Sequence, residues 1–334
     1  MKAMVLEKGA PIESKPLILR EVVEPQPGAR QVRLKVEACG ICHTDLHEIE
    51  AELSLPKLPL IPGHQVVGCI DKLGAGVGHL RLGARAGLAW LGSTCGKCDC
   101  CRSGKENLCP QARFTGYHFD GGYAEYVLAE ADHVYPIPGK MAAAAAAPLL
   151  CAGIIGYRAL RLSGIQKGER LGLYGFGASA HIAIQIARYW DCQVFVFSRS
   201  AQHGELARRL GAAWTGGIDD ELPEKLHAGI IFAPAGELVP TALEHLEKGG
   251  ICVLAGIYLS RIPPLDYEKH LYYEKTLRSV TASTRRDGCE LMCLAEKANI
   301  QTTTETFPLE QANVALQRLK AGQINGAGVL DINR

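Results

Sequence analysis

The sequence lacks an excess of charge of either sign. Lys and Arg number 36 against 35 Asp and Glu, a formal net charge of +1. A surface that tracks phosphates needs clustered basic residues, so neither nucleic acid nor an anionic membrane is an expected partner. A secretory leader is also missing: Met1-Lys2-Ala3 runs into Glu7-Lys8 with no long apolar region between, which predicts a cytoplasmic protein. No uninterrupted apolar run reaches spanning length. The most apolar stretch, residues 141–156, has sixteen residues, all uncharged and six of them consecutive alanines, and Pro148 breaks it; a spanning helix needs roughly 18 to 20. Internal repeats and charge blocks are absent, and the alanine run is simply good helix-forming sequence.

What is present is cysteine, 13 in all, together with 37 glycines. In a reducing cytosol these thiols are expected to be buried, metal-bound or catalytic rather than disulfide-paired. At roughly 150 residues per domain, a chain of 334 residues implies about two domains. Up to about Leu128 the text is turn-rich, with short alternating runs such as residues 32–36, and reads as mainly β. Beyond Leu149 it changes to short buried strands (171–174, 193–197, 229–232 and 251–254) separated by amphipathic helical segments. That pattern belongs to an α/β fold, a parallel sheet covered by helices. Between the first two strands a helix is expected over residues 178–189, with Ile182, Ile186 and Tyr189 on its apolar face beside Ala183 and Ala187. A helix over 309–321, closed by Gly322, and a strand over 329–332 are expected to rejoin the first domain.

Cys95, Cys98, Cys101 and Cys109 form C-x2-C-x2-C-x7-C inside a loop-like segment. Four thiolates can close a tetrahedron around Zn²⁺ with no position left for substrate, a structural site. Cys100 breaks the spacing and reads as a spectator. A second group, Cys42-His43-Thr44-Asp45-Leu46-His47, packs a thiol, two imidazoles, a hydroxyl and a carboxylate into six residues. His64 follows the turn Pro62-Gly63, and Cys151 follows Pro148-Leu149-Leu150. Singly, each has a bland reading as a core thiol or a satisfied polar residue.

The second domain carries a dinucleotide fingerprint. Leu171-Gly172-Leu173-Tyr174 leads into Gly175-Phe176-Gly177-Ala178-Ser179-Ala180, a strand followed by G-x-G-x-x-A at the start of a helix. Gly175 permits the tight turn, Gly177 lets the backbone approach a pyrophosphate, and Ala180 keeps the helix close to the sheet. About 20 residues on, NAD users place an acid on the ribose 2′-hydroxyl, whereas NADP users supply an arginine. Here Ser198-Arg199-Ser200 offers hydroxyls and a guanidinium, which predicts NADP(H) over NAD(H). The bland alternatives leave Arg199 solvated or stacked on the adenine of NAD.

Taken together, the segment from Gly40 to His47, Pro62-Gly63-His64, Trp90-Leu91-Gly92-Ser93-Thr94-Cys95, the four-cysteine loop and Pro148-Leu149-Leu150-Cys151-Ala152-Gly153 resemble the zinc-dependent alcohol dehydrogenases of the medium-chain dehydrogenase/reductase superfamily. The resemblance covers essentially the whole chain. It implies a GroES-like, mainly β catalytic domain over 1–152 holding both zinc sites, a Rossmann domain over 153–281, and a segment over 282–334 returning to the first, with the site in the cleft between domains. It implies two Zn²⁺ per chain, with Cys42, His64 and Cys151 as catalytic ligands and Cys39 outside the shell. A fourth position then stays open for water or an alcohol, whose pKa zinc lowers from about 16 toward about 7. By the same likeness Asp45 holds the second ring nitrogen of His64, Thr44 and His47 relay the alcohol proton, and His43 lies near the cofactor pyrophosphate. Arg285 reaches the cofactor, Trp90 lines the substrate pocket, and Tyr117 and Phe119 are candidate additions to it.

The family places Glu where this chain has Gln65, which weakens any ligand exchange there, and the arginine many relatives carry before the final strand is missing from Asn325-Gly326-Ala327-Gly328. The implied activity is hydride transfer between NADP(H) and a small to medium alcohol, aldehyde or ketone, by a homodimer or homotetramer. The alternatives are an NAD-dependent polyol dehydrogenase, which commonly has Glu where Cys151 stands, and a non-catalytic zinc- or NADPH-sensing protein.

Overall fold

A computed structural model describes residues 1–333. Its contacts group the chain into two units. Met1–Cys151, Thr284–Glu296 and the chain from Gln301 onward form the first; Ala152–Ser283 and Lys297–Ile300 form the second.

The second unit is built on a six-stranded sheet whose strands run parallel throughout. In spatial order these are Trp214–Gly216, Gln193–Phe197, Arg170–Tyr174, Leu226–Ile231, Leu246–Leu254 and Thr276–Ser279. Numbered along the chain this is 3-2-1-4-5-6, the doubly wound order of a Rossmann fold. Leu171, Leu173, Val194, Val196, Ile230, Ile231 and Val253 are fully buried, as expected where helices cover a parallel sheet. Two expected strands begin earlier than their apolar runs. One starts at Leu226, and the other at Leu246, its ladder shifting register near Gly249, where φ is +77°.

The helix Ala178–Tyr189 has the expected bounds, but its buried surface is wider than one stripe. Ile184 is fully buried with Ile182 and Ile186, whereas Tyr189 is 50% exposed. The cause is a second neighbour: the helix touches the Gln193–Phe197 strand and also the helix Ala152–Ser163. Gly156 makes that approach possible, since a Cβ there would stand 3.1 Å from the Ser179 carbonyl oxygen.

The first unit centres on the strand Gln31–Gly40. It pairs antiparallel with Gln65–Leu73, with Tyr126–Glu130 and with Ala327–Asp331. Leu34, Val36, Val66, Ile70, Val127 and Leu330 make part of its core. The late helix opens as a 3-10 turn, Leu309–Gln311, and becomes α-helical only over Ala312–Lys320, with Gly322 at φ +66° just beyond. Among the described residues no single helix is long and apolar enough to cross a membrane.

Candidate active site

Strand register assembles the first cluster. Gly40 lies opposite Gln65, so Cys42, just past the end of one strand, and His64, just before the start of its partner, meet at the same end of this strand pair. Cys151 follows the 3-10 turn Ala147–Leu150. The ligand atoms of Cys42, His64 and Cys151 all fall within 4.8 Å of one another, with Cys42 Sγ 3.4 Å from His64 Nε2.

Cys42 caps the helix His43–Ile49. Its Sγ accepts the Thr44 N–H at 3.3 Å, while its own N–H donates to Asp45 Oδ2 at 2.8 Å, a capping-box exchange. Asp45 and His64 are 0% and 1% exposed, and Asp45 Oδ1 stands 3.1 Å from His64 Nδ1, close enough for an ion pair although not aligned as a hydrogen bond. The Cys151 thiol and the His64 imidazole hold the Cys42 thiol well below its usual range. Burial by itself would lower His64, but the charges of Cys42 and Asp45 outweigh it and raise the imidazole well above its ordinary value. The Cys42 thiol in turn raises that of Cys151 well above its usual range, so the negative charge of the cluster gathers on Cys42.

Two members of this site carried no sequence signal. The Tyr123 hydroxyl donates to Asp45 Oδ2 at 3.1 Å, and the ring is fully buried. Its room comes from Gly63, at φ +98°, where an added Cβ would stand 2.3 Å from Tyr123 Cδ1 and 2.9 Å from Cys39 Sγ. Gly63→Ala should therefore cost about 3 kcal/mol through overpacking and left-handed strain, measurable as a lower urea midpoint. The second is Glu48, 0% exposed, neither of whose carboxylate oxygens has a hydrogen-bond partner among the described residues. Burial, then the Asp45 charge, pushes its carboxyl well above the usual range and keeps it neutral.

His64 meets Trp90 edge-on at 5.0 Å between ring centroids, and Trp90 stacks on Phe114 at 4.9 Å and tilts against Tyr117 at 5.8 Å. Phe119 lies elsewhere in this unit, under the Arg113 guanidinium, and lines a cavity of about 420 Å³ that none of the three clustered ligands borders. Gln65 is 2% exposed and packs on Gly40. Thr44 is buried, His43 is exposed, and His47 is half-buried with Nδ1 2.5 Å from Glu52 Oε2.

The second cluster brings together Cys95, Cys98, Cys101 and Cys109. Their Sγ atoms stand 3.5 Å (98 to 101), 3.5 Å (95 to 109) and 3.9 Å (95 to 101) apart. Two thiolates on a tetrahedral zinc, with bonds of about 2.3 Å, stand about 3.8 Å apart, so these separations fit such an ion. Backbone N–H groups of Lys97 and Cys98 hold the Cys95 thiol down to about 6. The loop is tied to the helix Arg285–Lys297: the Arg285 N–H donates to Glu106 Oε1 at 2.9 Å, and its guanidinium donates to the Asp132 carbonyl at 3.1 Å. Arg285 thus sits in the first unit with these partners, whereas the whole glycine fingerprint is in the second. All thirteen cysteines are free of disulfides.

In the second unit Gly175 has φ +88°, a turn that disfavours any side chain. Gly177 caps the helix Ala178–Tyr189 with no side-chain cap, and a Cβ there would meet nothing within 4 Å, so the amides of Ala178 and Ser179 begin a twelve-residue helix beside open space. That arrangement fits a pyrophosphate. Ser198 Oγ accepts the Ser200 N–H, Ser200 Oγ caps the helix Ala201–Arg209 through the His203 N–H, and Arg199 is exposed.

A Rossmann sheet, a mixed β unit with an open three-ligand cluster and a closed four-thiol loop together define a medium-chain dehydrogenase. Comparison with known proteins makes this more specific. Residues 28–139 match the alcohol dehydrogenase GroES-like domain. The chain is 44% identical over 335 residues to the probable alcohol dehydrogenase AdhA of Mycobacterium tuberculosis (strain CDC 1551 / Oshkosh), covering 99% of this chain and 97% of that protein. Acetophenone reductase from Geotrichum candidum NBRC 4597, solved in complex with NAD, is 27% identical with a TM-score of 0.87, covering 99% of this chain and 97% of its own. A protein from Sinorhizobium meliloti 1021 bound to NADP is 25% identical with a TM-score of 0.87, covering 99% of each chain. The chain belongs to the zinc-dependent alcohol dehydrogenases of the medium-chain dehydrogenase/reductase superfamily.

Proposed function

We propose that this alcohol dehydrogenase works with two Zn²⁺ per chain and prefers NADP(H), exchanging hydride with a small to medium alcohol, aldehyde or ketone. The observation that carries the reading is the convergence of Cys42 Sγ, His64 Nε2 and Cys151 Sγ at one point, with Asp45 behind His64. Cys42, His64 and Cys151 would hold a catalytic zinc with a position left for substrate, and the four thiols of Cys95, Cys98, Cys101 and Cys109 would hold a second, structural one. When bound, zinc supplies Lewis acidity toward the substrate oxygen and nicotinamide supplies or accepts the hydride.

The chain's own residues do the rest. Asp45 fixes the His64 ring so that Nε2 faces the Cys42 thiolate, and Tyr123 keeps Asp45 in place. Asp45→Asn should lower activity and zinc affinity about 10- to 100-fold, read by competition with a chelator. Thr44 Oγ1 takes the substrate's hydroxyl proton and hands it on toward His47, whose Nδ1 is held by Glu52 and which delivers it to solvent. Trp90 and Tyr117 form an apolar wall beside His64 that suits small to medium substrates. Gly175, Gly177, Ala178 and Ser179 hold the pyrophosphate.

Preference for NADP(H) rests on Ser198, Arg199 and Ser200 and on the missing acid beside them. Relatives of both nucleotide habits surround this chain, so the residues themselves carry the argument. Arg199→Ala should lower kcat/KM for NADPH about 10- to 100-fold and leave that for NADH within about threefold, because the guanidinium meets only the 2′-phosphate. A parent enzyme that prefers NADH would overturn the preference. A cytoplasmic homo-oligomer completes the reading.

A further inference from the structure

The nucleotide end of the second unit contains a charge that the Ser198-Arg199-Ser200 motif does not reveal. The glycine-loop strand Arg170–Tyr174 is flanked in the sheet by Gln193–Phe197 on one side and Leu226–Ile231 on the other. Segments leaving the carboxyl ends of those neighbours border the place where a doubly wound sheet takes its dinucleotide. Ser198-Arg199-Ser200 leaves the first. Residues 233–237 leave the second, and Ala233 lies against the fingerprint itself, since a Cβ on Gly175 would stand 3.0 Å from the Ala233 N and Cβ atoms.

At the end of that second segment is Glu237, exposed yet held in place. Ser260 Oγ accepts the Gly236 N–H at 2.7 Å and donates to Glu237 Oε2 at 3.0 Å. The Glu237 backbone N–H and the Ser260 hydroxyl keep this carboxyl below its usual range, and the Arg199 guanidinium acts on it in the same direction. Glu237 is therefore an oriented, ionised carboxylate, and the strand its segment leaves flanks the glycine-loop strand on the side opposite the strand that Arg199 follows. An acid missing after one strand is supplied after another.

We infer that Glu237 is a selectivity residue that opposes Arg199, penalising a 2′-phosphate while tolerating a 2′-hydroxyl. This rests on the reading that Arg199 meets the ribose end of the nucleotide. A phosphomonoester carries about −1.5 to −2 charge at neutral pH, so a fixed carboxylate nearby repels it, whereas a ribose hydroxyl is uncharged and can donate to the same oxygens. Specificity built in this way relies on repelling the wrong ligand as well as on attracting the right one. NADH stays usable although the acid expected after the second strand is missing.

The test is the dissociation constants of NADPH and NADH, measured by calorimetric titration of the zinc-loaded full-length chain, for the parent, Glu237→Gln and Arg199→Ala at low and high salt. Glu237 is exposed, so its amide variant is expected to fold as the parent does. Glu237→Gln should tighten NADPH about fivefold and move NADH by less than about twofold. Raising the salt should shrink that gain, because exposed charges are screened. If Arg199→Ala weakens NADPH selectively but Glu237→Gln leaves the NADPH to NADH ratio unchanged, the role of Glu237 is overturned and that of Arg199 stands. If the ratio is unchanged in Arg199→Ala as well, the nucleotide reading beneath it falls too.

Discussion

Cys42→Ser should abolish turnover, with kcat/KM falling at least about a thousandfold, while the melting temperature moves by no more than a few degrees. The thiol supplies one of only three protein donors to the proposed catalytic metal, so its loss removes both charge and a coordination position where no other side chain replaces it. The fold has less at stake. The serine hydroxyl can still accept the Thr44 N–H that Cys42 Sγ now accepts, and the Cys42 backbone N–H keeps its bond to Asp45. Zinc content should fall from two per chain to one.

Cys98→Ser should do the opposite. The four-thiol loop has little regular structure apart from the short helices Asp99–Arg102 and Glu106–Leu108, so the proposed zinc is expected to hold much of its geometry. Losing one thiolate should cost about 3 to 5 kcal/mol and lower the melting temperature by about 10 °C, whereas kcat for the protein that remains folded changes little. The damage should spread along one route, through Glu106 to the helix Arg285–Lys297, because Arg285 donates to Glu106 from that helix's first residue. Hydrogen exchange should show this helix losing protection together with the loop. If Cys98→Ser silences turnover and Cys42→Ser mainly loosens the protein, the two metals have been exchanged.

Where patterns are local, the sequence was readable. The helix Ala178–Tyr189 and the strand Gln193–Phe197 match their expected bounds because apolar periodicity, a glycine turn and a helix cap all point the same way. The six-stranded parallel sheet follows from the alternation of strand and helix, although Trp214–Gly216 and Thr276–Ser279, short edge strands with little apolar text, carry no strand signal of their own. The four-thiol loop was legible from its spacing, whereas Cys42, His64 and Cys151 lie far apart in the sequence and were joined only by the family resemblance.

What stayed hidden depends on distant contacts. Tyr123 supports Asp45 from 78 positions away, and only the space left by Gly63 lets its ring in. Tyr189 fits the helical stripe in one dimension but ends half exposed, and Ile184, off that stripe, is buried by a second helix that periodicity does not see. Phe119 and Trp90 look alike as aromatic candidates, yet only Trp90 reaches His64. Glu237 has no signal of its own; it matters because sheet order brings its loop beside the glycine turn across from Arg199.

The most direct test is consumption of NADPH and of NADH by the zinc-loaded chain with a panel of short-chain, branched and aromatic aldehydes, run beside Cys42→Ser. The expected result is turnover of at least one aldehyde, faster with NADPH than with NADH, and none in Cys42→Ser. No turnover of any aldehyde with either nucleotide, by a chain carrying two zinc ions, would contradict the proposed chemistry and favour a protein that only binds them.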